Sequence, residues 1–154
     1  MTGIDDSTAR DLAVDPSRSV LLQAPAGSGK TTVLIQRYLR LLAEVDAPEQ
    51  VIAITFTRKA AGEMRTRIAA ALRAALEPAR AGSSDAELRT RQFAQAALQR
   101  SRALDWQLES NPGRLRIQTI DALNQRLAGS LPIAARLGGE LETATDAAPL
   151  DNPV

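Results

Sequence analysis

A short glycine-containing stretch near the amino terminus is the strongest constraint on what this chain can fold into. From Ala24 to Thr31 it reads Ala-Pro-Ala-Gly-Ser-Gly-Lys-Thr, between an apolar run and a helix-like segment. Small residues at this spacing let successive backbone N–H groups turn inward around phosphate oxygens, and the following helix directs its positive end toward them. The stretch fits the phosphate-binding loop pattern, with alanine in place of the first glycine. Its candidate ligand-binding residues are Ala24, Pro25, Ala26, Gly27, Ser28, Gly29, Lys30, Thr31 and Thr32.

The residue types in this loop predict its ligands. Gly27 and Gly29 supply the backbone geometry. Lys30 is expected to reach the β and γ phosphates of a nucleoside triphosphate, and the Thr31 hydroxyl to bind Mg²⁺. The alternative is a Gly/Ser-rich connector with an incidental lysine. Because the loop lies between a predicted strand and a predicted helix, its context favours the nucleotide site, although a loop that touches only phosphates does not select the base.

Alternating apolar runs and helix-forming stretches predict an α/β fold. Strands are predicted over Ser19 to Ala24, Val51 to Phe56 and Leu115 to Thr119. Because strands and helices alternate, the sheet is expected to be parallel with helices on its faces. Helices are predicted over Asp5 to Val14, from Lys30 to before Pro48, over Arg58 to Leu76, within Asp85 to Leu108 as one helix or two, and from about Asp121 to Ala128.

Composition excludes several kinds of chemistry. The chain has no cysteine and no histidine, so disulfides, thiol nucleophiles, zinc sites and histidine bases are all ruled out. Its 19 Lys+Arg and 18 Asp+Glu nearly balance, so any nucleic-acid site must be local. Neither a long apolar run nor the pattern of a secretory signal occurs, which predicts a cytoplasmic protein without a membrane partner.

Three motifs in order give the chain a family resemblance. Ile54 to Met64 reads Ile-Thr-Phe-Thr-Arg-Lys-Ala-Ala-Gly-Glu-Met and closely resembles the second conserved motif of UvrD/Rep-like superfamily 1 DNA helicases. Gln23 to Thr32 resembles their first motif, and Ile117 to Leu123 resembles the next one along. Within the family, the sequences of these motifs are most similar to those of the AddA/RecB-like branch, the helicase subunits of helicase–nuclease complexes.

The resemblance implies an incomplete RecA-like P-loop NTPase domain that binds ATP and Mg²⁺ and tracks along single-stranded DNA. It implies an ATP-binding part over residues 1–137 with a helical insertion at about 78–113. The remaining residues 138–154 have little apolar periodicity, which predicts a flexible tail. The AddA/RecB-like branch also implies a partner subunit. By residue, it puts Lys30 and Thr31 on the triphosphate and Mg²⁺. The residues that it places near the DNA strand are Thr55, Phe56, Thr57, Lys59, Thr119 and Asp121.

The residues themselves give this DNA assignment some independent support and one alternative. A Thr/Phe pair that ends a parallel strand lies at the carboxyl edge of the sheet, where ligands bind in α/β folds. Hydroxyls can bond phosphates, and an aromatic ring can stack on a base. The alternative is that Phe56 belongs to the core and Thr57 is simply the N-cap of the next helix.

The chain departs from the family pattern in two places. Residues 7–10 read Ser-Thr-Ala-Arg and lack the adenine-reading glutamine usual ahead of the loop. No Asp-Glu pair follows the third motif, and no second motor domain occurs in the sequence. We therefore expect the amino-terminal portion of an ATP-dependent helicase, which alone binds nucleotide but neither hydrolyses it quickly nor unwinds DNA.

A rival reading treats the chain as a complete small P-loop phosphotransferase. In that reading, Leu115 to Asp121 is an apolar strand that ends in a metal-binding aspartate. Arg116 and Gln118 interrupt the apolar character that such a strand needs, and the Thr-Phe-Thr motif is left unexplained. A third interpretation is a degenerate loop used only for protein contacts. The presence of Gly27, Gly29, Lys30 and Thr31 together argues against it.

Overall fold

The computed structural model describes residues 6–23, 25 and 27–130. The expected boundary at 137 and the predicted tail at 138–154 lie outside these residues, as do Ala24 and Ala26. The helices are α1 Asp6–Val14, α2 Lys30–Leu42, α3 Arg58–Ala74, α4 Asp85–Ala103 and α5 Ile120–Ser130, and the strands are β1 Ile52–Thr55 and β2 Arg116–Thr119. All five predicted helices are confirmed. The predicted α/β class with a parallel sheet is confirmed as well.

Local capping explains where two of the helices begin. The Thr57 hydroxyl accepts a hydrogen bond from the Ala60 N–H at 3.1 Å, which starts α3. At α4, the Ser84 hydroxyl accepts from the Glu87 N–H at 3.3 Å while the Glu87 carboxylate accepts from the Ser84 N–H at 2.8 Å. This reciprocal capping box satisfies donors that a helix start otherwise leaves open. α4 then runs unbroken to Ala103. The segment predicted as either one helix or two is therefore a single helix.

The sheet of the described residues consists of β1 and β2 in parallel. The predicted strand at Ser19 to Ala24 is wrong over residues 19–23, which form no strand. A strand needs a neighbour for its N–H and C=O groups, and apolar residues alone do not supply one. Here β1 and β2 pair with each other, and Leu21 is 84% exposed. The apolar run therefore has neither a hydrogen-bonding partner nor a covering layer among the described residues.

The core lies where α2, α3 and α4 meet. Leu39 and Leu42 of α2 and Ile68 of α3 are fully buried. α4 contributes Ala94 and Ala97, also fully buried, and such small side chains let helix backbones approach closely. Burial of this aliphatic cluster supplies most of the hydrophobic stabilisation, at about 25 cal/mol per Å² of apolar surface.

Polar bonds fix α4 on α2 at both ends of their contact. The buried Gln36 donates from Nε2 to the Ala86 carbonyl at 3.1 Å and to the Thr90 hydroxyl at 3.0 Å. At the other end, Arg100 donates from Nε to the Val45 carbonyl at 2.9 Å. A buried amide without such partners would be costly, so these bonds specify how the two helices align.

The register of the two strands is set by the turns that precede them. Short 3₁₀ turns at Pro48–Gln50 and Pro112–Arg114 lead into β1 and β2. Arg114 binds Glu49 with two hydrogen bonds, from Nε at 2.7 Å and from Nη2 at 3.1 Å. A bidentate pair of this kind fixes relative position as well as adding energy. Ile52 then lies opposite Arg116, and each later residue pairs in step.

The chain divides after Thr119 into two compact units, and α5 belongs to the second. α5 is an 11-residue helix with no buried residue. No helix in the described ranges is long and apolar enough to cross a membrane.

The Glu49–Arg114 pair predicts a pH-dependent stability. The hydrogen bond from Arg114 lowers the pKa of Glu49 below 4.5 in the folded chain. A carboxyl whose pKa is lower in the folded than in the unfolded state stabilises the fold above the unfolded pKa and loses this contribution as the pH falls through the folded one. We expect Glu49→Gln to lower the urea midpoint at pH 7, and the difference from the original chain to shrink as the pH falls below 4.5.

The matched control is Glu44→Gln, because Glu44 pairs with Arg40 at 3.3 Å within one exposed helix end. Exposed pairs of this type contribute little. Equal midpoint shifts for the two variants would show that Glu49 does not fix the strands.

Candidate phosphate loop and strand edge

The loop before α2 has the backbone that an anion site requires. Gly27 has φ of 79° and Gly29 has φ of 82°, both in the left-handed region that favours glycine. Gly29 is the N-cap of α2, no side chain caps the helix there, and its first turn contains no acidic residue. The first N–H groups of α2 therefore remain available to a ligand, at the positive end of the helix.

Pro25 organises the two polar side chains of the loop. Its carbonyl accepts hydrogen bonds from the Lys30 ammonium at 2.6 Å and from the Ser28 hydroxyl at 2.7 Å. Lys30 is half-buried, whereas the neighbouring Thr31 is exposed. The ammonium is thus folded over the loop, and a phosphate group that enters would compete with the Pro25 carbonyl for it.

Helix α1 is fixed beside the loop by Arg37 of α2. The Arg37 guanidinium donates to the carbonyls of Ala13 at 2.8 Å, Asp15 at 3.0 Å and Arg18 at 2.6 Å. Carbonyls at a helix end lack partners within the helix, so one arginine satisfies several of them. Sequence reasoning missed Arg37, because a single arginine in an amphipathic helix carries no motif that would distinguish it.

The two strands end together at the carboxyl edge of the sheet. Thr55 of β1 is the register partner of Thr119 of β2. Phe56 follows β1 and is 91% exposed, so the alternative that placed it in the core is wrong. The Thr57 hydroxyl caps α3, which confirms the cap alternative for that residue. The edge thus presents the exposed Phe56 ring between the half-buried Thr55 and the exposed Thr57, whereas Thr119 is buried.

The remaining predicted DNA residues differ in accessibility. Lys59 is exposed in the first turn of α3, and Asp121 is exposed in the first turn of α5. Thr119 is buried, with 7% of its surface exposed. Arg65 of α3 donates to the Ile117 carbonyl at 2.5 Å and thereby bonds α3 to β2. Contact with DNA stays a prediction for Lys59, Thr119 and Asp121.

No group of three or more acidic side chains in the described part of the chain is placed to hold a metal ion. Thr31, the metal ligand predicted for the loop, is exposed at the start of α2.

Two glycines give opposite expectations for the same substitution. Gly29→Ala forces a side chain into the left-handed region and should destabilise the fold by ~1–2 kcal/mol. Gly62 lies inside α3, and a Cβ there would meet nothing within 4 Å. Gly62→Ala should therefore stabilise the fold by about 0.5–1 kcal/mol. Urea unfolding of both variants measures the difference, and a destabilised Gly62→Ala with an unaffected Gly29→Ala would refute this account of the loop.

The described residues thus combine a glycine loop in the left-handed region, which leads into α2, with a parallel pair of strands flanked by helices, as in a mixed α/β domain. The sequence profile of the UvrD/REP helicase N-terminal domain matches residues 6–130. The chain therefore belongs to the UvrD/REP helicase family. This match includes all three motifs, so the alternative of a small phosphotransferase is set aside.

Similar proteins from several bacteria are named as ATP-dependent helicases. Over 71 residues the chain is 45% identical to an ATP-dependent helicase/nuclease subunit of Desulfitobacterium hafniense, covering 44% of this chain and 5% of that protein. The corresponding protein of Lactobacillus helveticus is 47% identical over 58 residues, covering 38% of this chain and 5% of its own length. The ATP-dependent DNA helicase UvrD2 of Mycobacterium tuberculosis is 34% identical over 153 residues, covering 94% of this chain and 21% of that protein. No solved structure is significantly similar to this one.

Proposed function

We propose that this chain binds ATP and Mg²⁺ through residues 24–32 as the amino-terminal part of an ATP-dependent DNA helicase. The observation that carries the proposal is the start of α2, where Gly29 leaves the first N–H groups without a side-chain cap and Lys30 follows at once. These donors and the ammonium form a cluster of positive charge suited to a polyphosphate.

The loop residues have distinct roles in this proposal. Lys30 exchanges the Pro25 carbonyl for oxygens of the β and γ phosphates, which stabilises their charge. The exposed Thr31 hydroxyl is a ligand for Mg²⁺, which when bound neutralises phosphate charge. Gly27 and Gly29 keep the backbone close enough for its N–H groups to reach the phosphates.

The test of nucleotide binding is titration of the folded chain with a fluorescent ATP analogue and Mg²⁺, beside Lys30→Ala. Loss of a charge-assisted bond of about 1.5–3 kcal/mol should weaken binding by about 10- to 150-fold. Arg73→Ala serves as the control, because Arg73 is an exposed cation in the last turn of α3. Equal affinities of the original chain and Lys30→Ala would contradict the proposal.

A second part of the proposal concerns single-stranded DNA at the end of β1. Phe56 is an almost fully exposed aromatic ring, and exposed Arg58 and Lys59 follow it. A ring that protrudes from a sheet edge can stack on a base, while the adjacent cations attract phosphates. Thr55 and Thr57 line the same edge. We also propose Thr119 and Asp121, each taken by itself, as DNA contacts, as the family resemblance implies.

Phe56→Ala tests the DNA site without disturbing the core, because the ring is 91% exposed. Stacking on one base is worth about 1–3 kcal/mol, so binding of a labelled oligothymidine at low salt should weaken by about 5- to 150-fold. Leu21→Ala removes another exposed apolar side chain, 84% accessible, and should leave binding unchanged. The DNA proposal fails if fluorescence anisotropy gives both variants the affinity of the original chain.

The names of the relatives support a partner as well. Proteins of Desulfitobacterium hafniense and Lactobacillus helveticus are each named as one subunit of a helicase/nuclease. We accordingly propose that the protein to which this chain belongs works beside another subunit.

A further inference from the structure

An arginine of α1 lies against the phosphate loop. A Cβ at Gly29 would be 3.8 Å from Nη1 and 4.0 Å from Nη2 of Arg10. Both terminal nitrogens of the guanidinium therefore approach the glycine that precedes Lys30. Arg10 is half-buried rather than extended into solvent.

The position of Arg10 is determined by the packing of α1. Arg10, Ala13 and Val14 are spaced three and four residues apart and so share one helix face. Ala13 and Val14 are buried with Val33 of α2, which lies one turn after Gly29. The same face that packs on α2 thus brings Arg10 to the helix start one turn earlier.

Two further contacts hold α1 in place. Arg37 of α2 binds carbonyls at the end of α1, and Asp11 forms an ion pair with Arg89 of α4. A long side chain on an anchored helix loses less freedom when it binds, because its backbone is already positioned. Arg10 is therefore preorganised relative to Gly29.

Charge at the loop favours an anion near Arg10. Arg10 lies against Gly29, Lys30 follows Gly29 directly in the chain, and the first turn of α2 has no acidic residue. A polyanion at the loop would therefore meet one cation from each helix and no carboxylate of that first turn. A guanidinium also presents paired N–H donors that match phosphate oxygens.

We propose that Arg10 is a second cationic ligand for the phosphates of the nucleoside triphosphate at this loop, acting beside Lys30. The proposal rests on the proposed nucleotide site and adds a residue to it. Arg10 contacts phosphate rather than base, because it lies over Gly29, whose neighbours supply the N–H groups of the phosphate cradle.

Inorganic tripolyphosphate distinguishes phosphate contacts from base contacts. The affinities of Mg²⁺-tripolyphosphate, Mg²⁺-ATP and Mg²⁺-GTP are measured by calorimetry for the original chain, Arg10→Ala and Arg10→Lys. We expect Arg10→Ala to weaken all three by the same factor, about 10- to 100-fold, and Arg10→Lys to restore part of the loss. Arg73→Ala, which removes an exposed cation of α3, should bind all three as the original chain does.

The outcomes separate this proposal from the one on which it rests. Weaker ATP binding with unchanged tripolyphosphate binding would overturn it, because Arg10 would then contact the base or ribose. Unchanged binding of all three by Arg10→Ala, while Lys30→Ala loses binding, would overturn it and leave the nucleotide site standing. If the original folded chain binds none of them, both proposals fail. If Arg10→Ala melts early, Arg10→Gln keeps most of the stem, removes the charge, and is judged by the same criteria.

Discussion

The packing of helix α2 is the interaction on which the rest of the structure depends. Its buried side, with Leu39 and Leu42, faces the core, and Gln36 bonds it to α4. Arg37 bonds the same helix to the end of α1. Because a helix is stiff, the contacts that hold the buried side of α2 in the core also position its first turn. In that turn, Lys30 follows Gly29, whose backbone is left-handed. The core thus positions a loop that contributes little to the core.

The strand edge depends on a different set of contacts. The bidentate pair of Glu49 and Arg114 aligns the turns before both strands, so β1 and β2 finish level at Thr55 and Thr119. Phe56 then has no neighbour among the described residues that covers it, and it remains 91% exposed. Single exposed apolar side chains are common on protein surfaces, so the exposure of one ring does not by itself assign a role. This exposure, in a chain that belongs to the UvrD/REP helicase family, is what supports a base-stacking role.

Sequence reasoning succeeded where the signal was local. The glycine geometry of the loop, the helices and the two paired strands follow from glycine spacing, capping residues and apolar runs. The cap role of Thr57 was one of two alternatives that the sequence offered. It failed for Ser19 to Gln23, because a strand requires a partner that the run itself cannot specify. Arg37 was missed for a related reason. Its role arises from the contact between α1 and α2, and nothing in the neighbouring residues marks it.

Hydrogen exchange with and without Mg²⁺-ATP tests the central claim most directly, namely that the core presents residues 25–32 as a phosphate site. The N–H groups at the start of α2 have no side-chain cap, so ligand bonds should slow their exchange strongly. The account predicts protection at the loop and the first turn of α2, with β1 and β2 unchanged. Unchanged exchange at the loop under saturating nucleotide, or protection confined to the strands, would contradict it.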